Sequence, residues 1–183
     1  MTHLSKLLAV ELDAFRTKTG RAELSILETG SIRNTGEEYH QNDGWSTLTF
    51  AEYVRDNGGS LISIDLDTAA ADEVLTRHDV RRFVMLVEGD SVETIGRLKP
   101  STALDVVLLD SENDAELIMR EFIAVKERTV RPALFLVDDV EPGSTSVVKG
   151  HQILPWLTEA GVPYRLERRT GTGYSTGVLV FEL

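Results

Sequence analysis

Apolar residues recur along this chain in two ways, at helical spacing in some segments and in short unbroken runs in others, and the two kinds alternate. Leu4, Leu7, Leu8, Val10, Leu12 and Phe15 fall largely on one helical face, which predicts an amphipathic lead-in helix within residues 1–22. Leu24 to Leu27 predicts a first strand that ends at Glu28-Thr29-Gly30. The polar stretch Ser31 to Gly44 then predicts a loop, longer than a strand-to-helix connection normally needs. Ser46 can cap a helix that runs to Asn57 with Leu48, Ala51 and Val54 on its apolar side, closed by Gly58-Gly59. The alternation continues with strand 60–65, helix 68–77, strand 83–87, helix 91–98, strand 105–109, helix 115–128, strand 133–137 and helix 148–160. The tail differs: 164–169 and 176–181 read as two strands joined by a turn at Thr170-Gly171-Thr172-Gly173.

Such alternation predicts a doubly wound α/β domain whose mainly parallel sheet carries helices on both faces, with a C-terminal antiparallel hairpin. Residues 1–183 are expected to form this single domain, since no repeat, linker or low-complexity segment interrupts them. Three of the apolar runs stop on carboxylates: Leu61 to Ile64 before Asp65, Val106 to Leu109 before Asp110, and Ala133 to Val137 before Asp138-Asp139. A carboxylate at the end of a buried strand is costly unless something compensates it. In open α/β sheets ligands bind outside the carboxyl ends of the strands, where these acids would gather. The pattern points to a cofactor-binding enzyme.

Charge narrows the partners. Lys and Arg total 19 against 30 Asp and Glu, a net charge of -11. That balance argues against nucleic acid or an anionic membrane, because phosphate binding needs a positive footprint. Arg165, Arg168 and Arg169 are the nearest basic group, and they read as a solvated strand edge. The absence of cysteine excludes thiolate catalysis and cysteine-based zinc sites. Met1 to Arg16 lacks the apolar run and cleavage pattern of a signal peptide, and no segment is long and apolar enough to span a bilayer. The expectation is a cytoplasmic enzyme with a small-molecule substrate. The apolar face of Leu4 to Phe15 is free to pack on its own domain or on a second subunit, so a homodimer is also expected as an option.

Glycines frame the candidate chemistry. Gly30 after the first strand would let the backbone turn tightly and approach a ligand, and Gly44 opens the next helix. From Gly44 to Asp65 is about the twenty-residue interval at which a second-strand acid reaches ribose hydroxyls. A dinucleotide fold would need G-x-G-x-x-G, which Gly30-Ser31-Ile32-Arg33-Asn34-Thr35-Gly36 does not match. Glu28 would also set negative charge near a pyrophosphate. An acid there suits a cationic ligand without phosphate, such as an amino-acid-bearing sulfonium.

Taken in order, Glu28-x-Gly30, Gly44-Trp45-Ser46-Thr47-Leu48, Asp65, Gly89-Asp90, Leu109-Asp110 and Asp138-Asp139 form a series of strand-end motifs. In this series the chain resembles class I S-adenosylmethionine-dependent methyltransferases, particularly the small-molecule O-methyltransferases of the catechol and caffeoyl-CoA type. The resemblance covers Leu24 to the C-terminus and implies a Rossmann-like, doubly wound, seven-stranded sheet. It also implies that Glu28, Gly30 and Ser46 meet the methionine part of the cofactor, Asp65 the ribose, and Asp90 and Ser91 the adenine. Asp110 would touch both cofactor and substrate. With Asp138 and Asp139 it would hold magnesium or another divalent cation, which would orient and acidify a substrate hydroxyl.

Two departures from the family stand out. Residues Ile32 to Asp43 are inserted between the matched glycines, offering Arg33, Tyr39 and His40 as contacts of a lid. The lysine base of the catechol type follows the strand-four acid by three residues, where this chain has Asn113. Proton abstraction is then expected from metal-bound solvent at the Asp110 site, from another residue such as His40 or His151, or from no base at all if the substrate is acidic enough, with Asp110, His151 and His40 as the catalytic candidates. The competing functional reading is a non-catalytic S-adenosylmethionine-binding or regulatory protein that keeps the fold.

Overall fold

β1 (Leu24–Thr29) lies inside the sheet, and its alternating side chains define the two faces of the molecule. The structure, a computed structural model, describes residues 2–39, 45–99, 101–168 and 176–183. Around β1 the sheet is built from β2 (Gly59–Asp65), β3 (Val84–Glu88), β4 (Leu104–Leu109), β5 (Thr129–Val140), β6 (Tyr164–Arg168) and β7 (Gly177–Glu182). The order is β3-β2-β1-β4-β5-β7-β6, with β1 parallel to both β2 and β4 and with β7 antiparallel to β5 and β6. The expected mainly parallel seven-stranded sheet with a closing antiparallel strand is therefore what the chain forms. Chain direction across the sheet reverses between β1 and β4, and this switch point is where open α/β folds take ligands.

Helices cover both faces. α1 (His3–Thr19), α2 (Ser46–Asn57) and α3 (Ala69–Arg77) bury apolar side chains with Leu24 and Ile26 of β1. α4 (Ser91–Arg97), α5 (Ala115–Lys126) and α6 (Gly150–Glu159) pack with Leu27 on the opposite face. Leu4, Leu8, Leu12 and Phe15 of α1 are buried in the core of their own domain, so the apolar stripe of the lead-in helix is used internally. Thr2 caps α1 by accepting from the Ser5 amide at 3.0 Å, and Gly20 ends it in the left-handed conformation that lacks a Cβ penalty. Arg165, on edge strand β6, pairs with the buried Glu11 of α1 and with Glu167; of the other two arginines noted in the sequence, Arg169 lies outside the described residues.

Two local expectations need correction. Ser46 does not cap α2: the N-cap is Trp45 in a left-handed conformation (φ 43°), and Ser46 opens the helix itself. Its hydroxyl is drawn instead to the buried Glu28 carboxylate. β5 does not stop at the acids, since it runs on through Asp138 and Asp139 to Val140. A bulge in the pairing with β7 between Val137 and Val140, with Asp139 at φ 54°, lets the strand pass its acids while bending there.

Candidate cofactor site

A cavity of about 350 Å³ opens at the carboxyl ends of the parallel strands, within the usual size of ligand pockets. Gly30, Ser46, Asp65, Asp90, Ser91 and Asp110 line it together with Ser31, so every residue expected to bind cofactor except Glu28 converges on one space. Gly30 sits at φ +84°, and a side-chain carbon built on it would collide with the Asp110 carbonyl. Only glycine therefore lets the first loop lie this close to the end of β4. The Gly30 amide donates to the Ile64 carbonyl at 2.9 Å, and the Ser31 amide donates to Asp65 Oδ2 at 2.7 Å. Asp65 thus holds the loop with one carboxylate oxygen while facing the cavity. Asp90 also serves twice, lining the cavity and capping α4 by accepting from the Glu93 amide at 2.8 Å.

Glu28 differs from the expectation. It is 0 % exposed and does not belong to the cavity wall, because alternation along β1 sends it to the same buried face as Leu24 and Ile26. There its carboxylate accepts from Ser46 Oγ, from Thr47 Oγ1 at 2.7 Å and from Ser63 Oγ at 2.8 Å. Burial pushes its pKa up to about 7, with the nearby Asp110 charge adding to the rise and the three hydroxyls opposing it. Glu28 supports the wall through Ser46 from beneath.

A matching acid lies on the other face, and the sequence reading overlooked it. Glu121 of α5 is fully buried and accepts from Thr29 Oγ1 at 3.0 Å, Ser111 Oγ at 3.0 Å and Ser91 Oγ. Burial raises its pKa, against the lowering pull of those hydroxyls and of Lys149. Helical spacing offered the signal: Glu121 shares the apolar face of Ile118, Phe122 and Val125.

The three acids at the ends of β4 and β5 do come together. Asp110, Asp138 and Asp139 each offer an oxygen, and these atoms lie within 4.8 Å of one another. Each acid also accepts from a protein donor. Asp138 Oδ1 takes the Asp139 amide at 2.8 Å, and Asp139 Oδ1 takes Thr176 Oγ1 at 3.1 Å. Asp110 Oδ1 takes Lys149 Nζ at 2.7 Å. Lys149, absent from the sequence reading, is only 3 % exposed. Burial draws its pKa down, but the Asp110 charge and hydrogen bond, with the charges of Asp138 and Asp139, outweigh that and hold it above the ordinary lysine value. The ammonium stays protonated.

The candidate bases divide. Asp110 lines the cavity, whereas His40 lies outside the described residues. His151 is exposed on α6 with Nε2 against the Ser144 carbonyl at 2.8 Å, and it does not line the cavity. Asn113 donates to the Ser146 carbonyl at 2.7 Å and accepts from the Val148 amide at 2.8 Å, bracing the segment that leads to Lys149. Of the loop residues offered as lid contacts, Arg33 lines the cavity and Tyr39 is exposed. Arg77 ties this loop down by donating to the Thr35 carbonyl at 2.7 Å.

An open α/β sheet with a glycine- and carboxylate-lined cavity at its switch point has the architecture in which such folds take ligands. The sequence profile of the methyltransferase domain family matches residues 41–140, and the chain belongs to this family of S-adenosylmethionine-dependent methyltransferases. No curated protein sequence matches the chain. Among solved structures it is similar to the O-methyltransferase TomG of Streptomyces achromogenes, which takes part in tomaymycin synthesis and was solved with S-adenosylmethionine. The two are 21% identical over 97% of this chain and 78% of TomG, with a TM-score of 0.70. The O-methyltransferase of Bacillus cereus, solved with S-adenosylhomocysteine, is 19% identical over 94% of this chain and 79% of its own, with a TM-score of 0.65. A provisionally named rRNA methylase of Clostridium thermocellum is 11% identical over 93% of this chain and 95% of its own, with a TM-score of 0.63.

Proposed function

We propose that the protein transfers the methyl group of S-adenosylmethionine to a hydroxyl oxygen of a small molecule. The observation that carries this reading is the close packing of Gly30 on Asp110, with Asp65, Asp90 and Ser91 around the same cavity. The residues present fit the cofactor: a backbone approach at Gly30 for the methionine part, Asp65 for the ribose hydroxyls, and Asp90 with Ser91 for the adenine. Bound there, S-adenosylmethionine supplies an electrophilic methyl carbon on a sulfonium. That methyl would pass to a lone pair of the acceptor oxygen, with the electron pair of the broken C–S bond remaining on the sulfur of the departing S-adenosylhomocysteine. Asp110, on the cavity wall, would take the acceptor's proton in this scheme.

The magnesium ion expected from the resemblance meets an obstacle. Hard carboxylate oxygens suit it, but Asp110 already carries the Lys149 ammonium at 2.7 Å. Magnesium binds oxygen at about 2.1 Å, so an ion on that same oxygen would lie no more than about 5 Å from the ammonium. Their repulsion would be roughly 7 kcal/mol at an effective dielectric constant of about 20. Lys149 already supplies one of the positive charges the three acids need, which weakens the case for a resident divalent cation, and the scheme above routes no step through one.

A small acceptor is favoured by the net charge of -11, which would repel a nucleic-acid backbone. No helix among the described residues is long and apolar enough to cross a membrane. Calorimetric titration with S-adenosylhomocysteine tests the reading. Asp65→Ala should weaken binding about tenfold to a hundredfold, the loss of a charged hydrogen bond to ribose and of the Ser31 latch. Equal affinity of the variant and the parent protein would remove Asp65 from the site.

A further inference from the structure

We infer that Lys149 is the built-in cation of the Asp110, Asp138 and Asp139 cluster, standing in for the divalent ion that the three acids would otherwise hold. The inference rests on the methyltransferase reading of the neighbouring cavity for its functional meaning, though not for its geometry.

Clustered carboxylates at two adjacent strand ends repel one another unless something positive compensates them. A buried lysine is equally costly unless it is paired. Each solves the other's problem here: the Lys149 side chain is 4% exposed and its amine lies 2.7 Å from Asp110 Oδ1. The chain fixes this lysine from two directions. Gly150 opens α6, and a Cβ there would come within 2.8 Å of Val140 Cγ1, so glycine seats the helix start directly against the end of β5. Asn113 holds both Ser146 and Val148 from the β4 side, bracing the approach to Lys149. Asn113 stands where the catechol-type enzymes carry their lysine base, and it helps deliver an amine to the same cluster from a different loop. Lys149 is accordingly a positioning residue, a fixed positive charge that sets the orientation of Asp110 at the cavity wall.

Manganese paramagnetic resonance tests this on the full chain, with calorimetric S-adenosylhomocysteine binding measured in parallel. The parent protein should bind no manganese at millimolar concentration, and its melting temperature should not respond to magnesium or to a chelator. Lys149→Ala should gain a manganese site of submillimolar affinity, while Lys149→Arg should not. Stoichiometric manganese binding by the parent protein, lost in Asp139→Asn, would overturn the inference, as would a Lys149→Ala protein that still binds no ion. If Lys149→Ala fails to fold, the parent protein and Asp139→Asn decide the matter alone. Failure of the parent protein to bind S-adenosylhomocysteine would instead overturn the cofactor reading and leave the manganese result standing.

Discussion

Glu28→Gln isolates the cost of keeping a carboxylate inside the sheet. In the folded protein the Glu28 pKa rises from 4.5 to about 7. At about 1.36 kcal/mol per unit, that difference amounts to about 3 kcal/mol. The folded state holds the proton more tightly than the unfolded chain, so this group's contribution is fully present below pH 4.5. Stability is lost as pH rises towards about 7, because the unfolded chain ionises first, and the loss is complete once the folded carboxyl has ionised as well. Glutamine keeps the size of the side chain and can still meet the hydroxyls of Ser46, Thr47 and Ser63, but it does not titrate. Urea unfolding of both proteins at a series of pH values gives the test, since groups far from residue 28 cancel in the difference. The stability of the parent protein relative to Glu28→Gln should fall by about 3 kcal/mol between about pH 4 and about pH 8. A difference that stays flat within about 0.5 kcal/mol across that range would refute the reasoning, and would mean that the three hydroxyls solvate the carboxylate as well as water does.

Two further substitutions probe the cavity. Gly30→Ala should destabilise the fold by about 2–4 kcal/mol, through overpacking on Asp110 and a strained positive φ, and should abolish S-adenosylhomocysteine binding. Thermal melts and titration calorimetry read the two effects, and a normally stable, normally binding alanine variant would mean that the loop can move away. Glu121→Leu should weaken cofactor binding about tenfold, because Ser91 and Ser111 on the cavity wall lose their shared acceptor, whereas Glu121→Gln should bind nearly as the parent does. Equal affinities for Glu121→Leu and the parent would show that those serines do not depend on it.

The sheet could be read along the chain because its strands are unbroken apolar runs closed by turn residues, and the periodicity changes cleanly at each helix. The cavity wall was legible for a related reason: Asp65 ends β2, Asp110 follows β4 and Asp90 stands two residues past β3, and a parallel sheet brings such ends to one edge. Glu28 also follows an apolar run, yet it lies within β1, where alternation with Leu24 and Ile26 commits it to the interior. Its depth separates it from the wall acids: Glu28 pairs with Ser63 and Leu108, each two residues short of Asp65 and Asp110. Lys149 left no periodic trace, since it precedes α6 at the end of an irregular segment and its role depends on a contact 39 residues away in sequence. Its one clue was electrostatic: three acids needing a counter-charge, and a lysine just after two valines before the next helix.

The two buried glutamates have a consequence for how ligand binding would be felt. Ser46, Ser91 and Ser111 are wall residues whose hydroxyls are each already tethered to Glu28 or Glu121 beneath them. Side chains held in this way have little rotamer freedom left to surrender when a ligand arrives. The entropic cost of association then falls on the ligand and on the first loop, while the floor is set during folding. Free and ligand-bound forms should accordingly share one floor geometry, and differences in affinity among ligands should arise at the rim, where Arg33 and its loop meet solvent.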